Sequence, residues 1–307
     1  MSKVVLAGGS GFLGQSLSHH LEESGTEVVI LGRSNQSAKH GISGRFMEWD
    51  AKTLGPWQED LEGADALFNL CGRSVDCRYT ERNKALILNS RIDATRVLGE
   101  AVQACSNPPK VWLNASTATM YPDRRGDLPA HDESSTGDAE GFSEDVGRAW
   151  EEAFFDSKSE GVRQVAMRIS IVLGNEGGAF PVMRKLTRLG LGGAQGPGSQ
   201  WMSWLHVEDW VGIAQFLMRT ERISGPVNLA APNPVTNSAF MKEMRKVFAP
   251  LGLGLPAPTP LIHLGAVFMG TEPELLLKSR KVRSQVLAEN KYEFLASSLS
   301  EALRRLS

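Results

Sequence analysis

The residues most suggestive of chemistry stand at the start of the chain. Gly8-Gly9-Ser10-Gly11-Phe12-Leu13-Gly14 places glycines at 8, 11 and 14, a Gly-x-x-Gly-x-x-Gly spacing. Glycines at such positions permit a tight turn, let the backbone approach a pyrophosphate, and let a helix pack closely on a sheet. A helix N-terminus behind them offers free N–H groups and a positive dipole end. An apolar, β-branched run at 3–7 precedes the motif, and the helical pattern Phe12, Leu13, Leu17, Leu21 follows it. That context makes Gly8, Gly9, Ser10, Gly11, Phe12, Leu13 and Gly14 candidates for a dinucleotide's phosphates.

The second apolar run, 27–31, decides which dinucleotide. It ends Ile30-Leu31-Gly32-Arg33-Ser34, and the first acid after it is Glu48. An NAD-type site wants Asp or Glu there to hold the ribose hydroxyls. Arg33 is placed to meet a 2′-phosphate instead, with Ser34 as a hydrogen-bond donor. The expected cofactor is therefore NADP (NADPH). Asp50 is a candidate for the adenine edge. Asn69-Leu70-Cys71-Gly72 ends a further strand, with Gly72 expected under the cofactor.

Arg91, Gln200, Trp201, Ser203 and His206 are candidates for the substrate side. Arg91 follows Ile87 by four residues on a helix and reads either as an inward charged anchor or as a surface arginine. Gln200–His206 follows a glycine loop, so its polar groups can line a pocket whose walls are tryptophan. His206 reads equally as structural or catalytic. His19 and His20 are adjacent on a helix and face apart, no His-x-x-x-His exists, and no metal is expected. Lys278, Arg280, Lys281 and Arg283 read as a solvated helix face rather than an anion site.

The elements that must position these residues alternate. Buried strands at 3–7, 27–31, 66–70, 111–115 and 164–169 are separated by helical stretches, clearest at 80–105 and 143–157. The expected fold class is α/β, a Rossmann-type doubly wound parallel sheet. Beyond residue 175 glycine- and proline-rich loops appear. Residues 1–175 and 201–230 are expected to form the nucleotide-binding domain, and 176–200 with 231–307 a smaller C-terminal substrate domain.

Composition bounds the rest. The chain has 307 residues, 41% hydrophobic and 22% charged, enough for a sizeable core. A formal net charge of −2 gives no global basic field for nucleic acid or an anionic membrane. Cys71, Cys77 and Cys105 form no Cys-x-x-Cys pair, and reduced cysteines in the cytoplasm are expected. No run of about 18 apolar residues suggests a membrane span. A strand begins almost at once, leaving no room for a signal peptide. The amphipathic stretch 80–105 faces either a second subunit of a homodimer or its own domain.

Several stretches together resemble the extended short-chain dehydrogenase/reductase superfamily. The resemblance is closest to an atypical "epimerase family protein" branch with a C-terminal domain of unknown function. They are GGSGFLG at 8–14, NLCG at 69–72, RYTERNKALILNSRIDATR at 78–96, RISIVLGNEGGAF at 168–180, GLGGAQGPGSQWMSWLHVEDW at 190–210 and GPVNLAAPNPVTN at 225–237. The resemblance implies a Rossmann domain that binds NAD(P) and a smaller substrate domain. The superfamily uses Ser or Thr with a Tyr-x-x-x-Lys pair, whose lysine lowers the tyrosine pKa so that it works near neutrality. Here Tyr79, Tyr121 and Tyr292 are followed at +4 by Asn83, Arg125 and Ala296, so the pair is absent. Aligned on Glu151, Ser143 takes the usual tyrosine place and Gly147 the usual lysine place. Ser116 matches the superfamily serine, and Tyr121 matches the last tyrosine of a pattern resembling SASAxGYYG. They are the catalytic candidates, as orienting group and acid/base. The expected function is an NADP-dependent oxidoreductase or epimerase acting on a small polar substrate. The alternative is an NADP(H)-binding regulatory protein without turnover.

Overall fold

The computed structural model describes residues 2–33, 43–135, 139–249 and 251–307. Strands β1 (Lys3–Ala7), β2 (Glu27–Gly32), β3 (Arg45–Glu48), β4 (Ala66–Asn69), β5 (Val111–Thr117) and β6 (Arg163–Ile169) join one sheet with a later strand at Gly225–Leu229. Two short strands, β7 (Ile171–Leu173) and β9 (Trp204–His206), pair parallel beside it. Another pair, β8 (Trp201–Met202) and β11 (Val235–Thr236), is antiparallel. The strand at Gly225–Leu229 is thus β10. The seven-stranded sheet runs β10-β6-β5-β4-β1-β2-β3, all parallel. The run 45–48 carries too few apolar residues to announce β3 in the sequence, and the edge position explains why it needs none.

The two-residue period of a strand sorts side chains onto two faces. Val4 and Leu6 face one core with Leu17 and Leu21 of α1 (Phe12–Glu23) and Trp210 and Leu217 of α5 (Val207–Arg219). Val5 and Ala7 face the other, with Leu98 and Val102 of α2 (Glu81–Ala104) and Phe154 of α3 (Phe142–Asp156). Full burial of a side chain such as Leu6 stabilises by about 1.5–3 kcal/mol. A third cluster joins Phe180 and Met183 of α4 (Phe180–Arg188), Trp204, and Phe240 and Met244 of α6 (Asn237–Phe248). Leu299 and Leu303 of α10 (Leu299–Arg305) complete it. The tail divides between cores, because Leu287, Tyr292 and Phe294 pack on the first face of the sheet. α7 (Thr259–Met269), the short α8 (Glu274–Leu277) and α9 (Gln285–Glu289) link these regions.

One sequence expectation needs correction. Lys278–Arg283 is not a solvated helix face. It is an extended strap whose backbone pairs with a distant loop and with Trp201. The Arg124 amide donates to Ser279 O, Arg280 N to Trp201 O, and His131 N to Lys281 O. Lys278 is 11% exposed at its side chain and the Arg280 Nε is buried. Backbone pairing across roughly 80 and 150 residues won over local charge periodicity, a tertiary override of a weak local signal.

Candidate functional site

Strand order reverses on either side of β1, between β2 on one flank and β4 on the other. A doubly wound sheet opens a crevice at this switch point, beyond the strand C-termini. The glycine loop sits there. Gly8 has φ +76°, and a Cβ on it would stand 2.9 Å from the Leu70 carbonyl carbon. A Cβ on Gly9 would meet Leu6, and one on Gly14 would stand 2.5 Å from the Gly9 Cα. These three glycines let β1, β4 and α1 touch. Gly11 differs, because its Cβ would meet only Gly8 O at 3.6 Å. It is the N-cap of α1, makes no side-chain cap, and no acid lies in the first turn. The first turn of α1 therefore presents donors and a positive dipole to the crevice, and the space over Gly11 fits a pyrophosphate.

Around this cradle, Leu70 N donates to Ala7 O at 2.8 Å and Cys71 N to Asn69 Oδ1 at 3.1 Å. Asn69 and Asn114 stand opposite each other in register. The Asn69 amide donates to Asn114 Oδ1 at 2.7 Å and Thr95 Oγ1 at 3.0 Å, locking β4 to β5 and α2. Burial pushes the Cys71 thiol up to about 12, so it is an inert wall of the cradle. Arg33 is exposed just past β2, without an ion pair among the described residues, and its charge reaches Cys71. Ser34 lies outside the described residues. Asp50 spends its carboxylate on the turn after it, accepting from Lys52 N and Thr53 N at 2.8 Å each.

Ser116 and Tyr121 belong to one buried network. Sheet register sets Ser116, Arg168 and Asn228 in a row across β5, β6 and β10. Ser116 Oγ donates to Glu151 Oε1 at 2.5 Å. Arg168 grips Glu151 through two bonds of 2.8 Å and donates Nη1–H to the Tyr121 hydroxyl at 2.7 Å. Tyr121 donates to Asn228 Oδ1 at 2.9 Å and stacks on His131. Burial raises the Tyr121 pKa despite the Arg168 charge beside it. Each hydroxyl proton is thus committed to a neighbour. Glu151 and Arg168 were not singled out in the sequence, where only their register across three strands could have joined them.

At the usual tyrosine place, Ser143 Oγ donates to Glu274 Oε1 at 2.5 Å. At the usual lysine place, a Cβ on Gly147 would stand 3.0 Å from the Met120 Cβ and 3.2 Å from Thr117 Cγ2. α3 packs there too closely for a long side chain. A cavity of about 410 Å³ opens nearby, lined by Asp123, Gly141, Glu144, Glu274 and Lys278 among others. Lys278 pairs with Glu144, and burial followed by the Arg280 charge brings the lysine down to about 8.

The substrate-side candidates separate. The Arg91 guanidinium lies 5.0 Å over the Trp150 ring, against Gly72, and donates to Ile87 O at 2.8 Å and Arg73 O at 3.2 Å. It has no ion pair among the described residues, and burial pushes it down to about 10. Gln200 is fully buried below the strap. Trp201 Nε1 donates to Gly126 O, and Lys281 covers its ring. Ser203 Oγ is tied to the Val282 amide and carbonyl. His206 caps α5 through Nδ1, accepting from Glu208 N at 3.2 Å, and burial lowers its pKa. Among the described residues no group of three or more His, Cys, Asp or Glu could hold a metal, and no helix is long and apolar enough to cross a membrane.

The sequence profile of the NAD dependent epimerase/dehydratase family matches residues 4–230, which holds both the glycine cradle and the β5–β6–β10 row. The chain belongs to that family. Its resemblance to the "epimerase family protein" branch is borne out over its whole length. It is 33% identical to the epimerase family protein YfhF of Bacillus subtilis over 304 residues, 99% of this chain and 97% of that protein. It is 30% identical to the human epimerase family protein SDR39U1, covering 99% of each. The crystal structure of that human protein (isoform 2) with NADPH superposes with a TM-score of 0.84 at 29% identity, covering 99% of this chain and 98% of the other. A Thermotoga maritima UDP-glucose 4-epimerase, solved with UDP-glucose, shares the fold at a TM-score of 0.79 and 15% identity.

Proposed function

We propose that the protein binds NADP(H) along the C-terminal edge of its sheet and acts as an oxidoreductase or epimerase on a small polar substrate. The observation that carries this reading is the cradle between β1 and β4. It joins an open α1 N-terminus to Arg33, a cation without an ion pair among the described residues at the end of β2, where an NAD site would carry an acid. Human SDR39U1, solved with NADPH, supports the same cofactor. When bound, the nicotinamide supplies a hydride acceptor or donor. The chain's own residues do the rest. Gly8, Gly9 and Gly14 bring the backbone close, Arg33 meets the 2′-phosphate, and Gly72 leaves room beside Arg91. Ser116 and Tyr121 serve as positioning residues, since Arg168 and Glu151 hold both at the strand ends. Proton transfer falls to the cavity lining, where Lys278 stands paired with Glu144. The loops at 176–200 and the segment 231–307 form the substrate side.

A second reading, an NADP(H)-binding regulator without turnover, is favoured by Ser143 and Gly147 at the usual tyrosine and lysine places. Titration of nucleotide-stripped protein with NADPH and NADH, followed by tryptophan fluorescence and calorimetry, tests the shared part. NADPH should bind at least about tenfold more tightly, a gap of about 1.4 kcal/mol, and Arg33→Asp should abolish the preference. Equal affinities would remove the NADP assignment. Intact NADPH binding without oxidation across a broad carbonyl panel would move the regulator ahead.

A further inference from the structure

Three buried polar atoms are left without partners around one strap. The strap, taken back through α8 to Glu272, carries the contacts. Tyr79 N donates to Glu272 Oε1 at 2.6 Å, and Ser143 Oγ to Glu274 Oε1. Gln200 Nε2 donates to Leu276 O at 3.1 Å and Gln195 O at 2.8 Å, and Arg280 Nη1 reaches Leu275 O at 3.4 Å. These contacts place Gln200 and Arg280 on the adjoining carbonyls of Leu276 and Leu275, and the Tyr79 backbone on Glu272. The Tyr79 hydroxyl, Gln200 Oε1 and Arg280 Nε are all buried with no partner at hydrogen-bond geometry, the Tyr79 hydroxyl lying beside Ser143. The Gln200 amide protons are both spent on carbonyls, which fixes the amide and leaves its oxygen as an open acceptor.

Unfilled donors and an unfilled acceptor around one strap, with the Arg280 charge reaching Tyr79, suit a ligand. Arg280 makes no ion pair among the described residues, the Glu274 and Asp123 charges reaching it only from farther off, and neither does Arg91, whose charge also reaches Tyr79. A guanidinium and a phenol hydroxyl both donate, and an amide oxygen accepts. Their match is an anionic group on a carbon skeleton that also bears a hydroxyl. Glu274, whose charge reaches Arg280, also edges the cavity that Lys278 lines. Glu274 is the nearest competing anion, held by Ser143.

We infer that this strap covers a substrate subsite for a small phosphorylated or carboxylated polyol, its anion on Arg280 and Tyr79 and a hydroxyl on Gln200. The inference rests on the hydride-transfer reading above and names its substrate class. Entry of the anion displaces the Glu274 carboxylate and frees the Ser143 hydroxyl. Removing the Glu274 charge therefore strengthens binding, while removing the Arg280 charge weakens it. A merely structural Arg280 would not give these opposite signs.

The test is calorimetric titration of the full chain, saturated with NADPH, with glucose 6-phosphate, glucuronate and glucose. At least one charged sugar should bind, and neutral glucose should bind at least about tenfold more weakly. The tighter of the two charged probes identifies phosphate or carboxylate as the group. Arg280→Gln should weaken the charged probe at least about tenfold without changing NADPH affinity. Glu274→Gln should tighten it. Tyr79→Phe, which removes one hydroxyl from a folded aromatic cluster, should weaken it by a smaller factor. Equal binding of glucose, or no response to both Arg280→Gln and Glu274→Gln, would overturn the subsite, as would failure of both charged probes to bind. A chain that takes up no NADPH overturns the parent reading instead, and the same titration on the nucleotide-free chain still decides the subsite.

Discussion

Arg168 is the residue on which the strand ends depend. Its side chain is 11% exposed, its partner Glu151 is 9% exposed, and between them they orient Ser116 and Tyr121. Replacing one member leaves a buried charge unpaired, which costs about 3–5 kcal/mol. Arg168→Met should lower the unfolding free energy from urea titration by that much, with a lower midpoint, and the double variant Arg168→Met with Glu151→Gln should recover part of the loss. An Arg168→Met midpoint close to the parent's would show the network to be solvated. The two buried imidazoles, His131 and His206, give a pH dependence. Both are held below the usual value of 6.5, first by burial. The unfolded chain takes up protons near 6.5 while the folded chain resists until lower pH, so unfolding binds protons in that window. Stability is therefore complete above about 6.5 and falls as pH drops below it. Melting curves between pH 7.5 and 5 should show the decline, and His131→Gln with His206→Asn should flatten it.

At the scale of elements, the glycine loop divides two jobs that the sequence motif presents as one. Gly14 lets α1 lie on the Gly9 backbone, and Gly11 leaves the helix end open. Gly14→Ala forces a methyl onto backbone and should destabilise by about 1–3 kcal/mol or more. Gly11, at φ −81°, accepts a methyl without strain. Gly11→Ala should leave stability within about 0.5 kcal/mol while weakening NADPH binding. Comparing thermal midpoints and titrations of the two variants checks the division. A Gly11 variant that binds as tightly as the parent would put the phosphates elsewhere. α3 offers the contrasting case. Its helix was legible from the amphipathic run 143–157, but its job was not. Only packing shows that Gly147 lies against Met120 and Thr117, leaving no space for a lysine.

For the whole molecule, the cofactor reading predicts a coupled stability. A ligand that binds only the folded state at about 100 times its Kd adds about 2.7 kcal/mol. Saturating NADPH should therefore raise the melting temperature by several degrees, and NADH at the same concentration should raise it less. Equal shifts would count against Arg33 as the discriminating residue. The tail takes part in both cores, with Leu287 and Phe294 on the sheet and Leu299 and Leu303 against α6. Removal of residues 285–307 should thus lower the midpoint for the whole chain rather than for one end, as a calorimetric scan would show.

By itself the sequence determined what local physics controls. Apolar runs of five or six residues alternating with helical periodicity specify a doubly wound sheet. A glycine triplet between the first strand and helix specifies where the backbone can come close to a ligand. A missing acid after β2 specifies which charge waits there. Tertiary structure decided what depends on register and on long closures. Ser116, Arg168 and Asn228 meet because three strands align. Lys278 and Arg280 turn inward because their backbone pairs with Trp201 and the loop at 124–131. Tyr79 meets Glu272 across 193 residues of chain. No spacing in a linear sequence encodes such meetings, since they follow from the burial and hydrogen-bond demands of the complete fold.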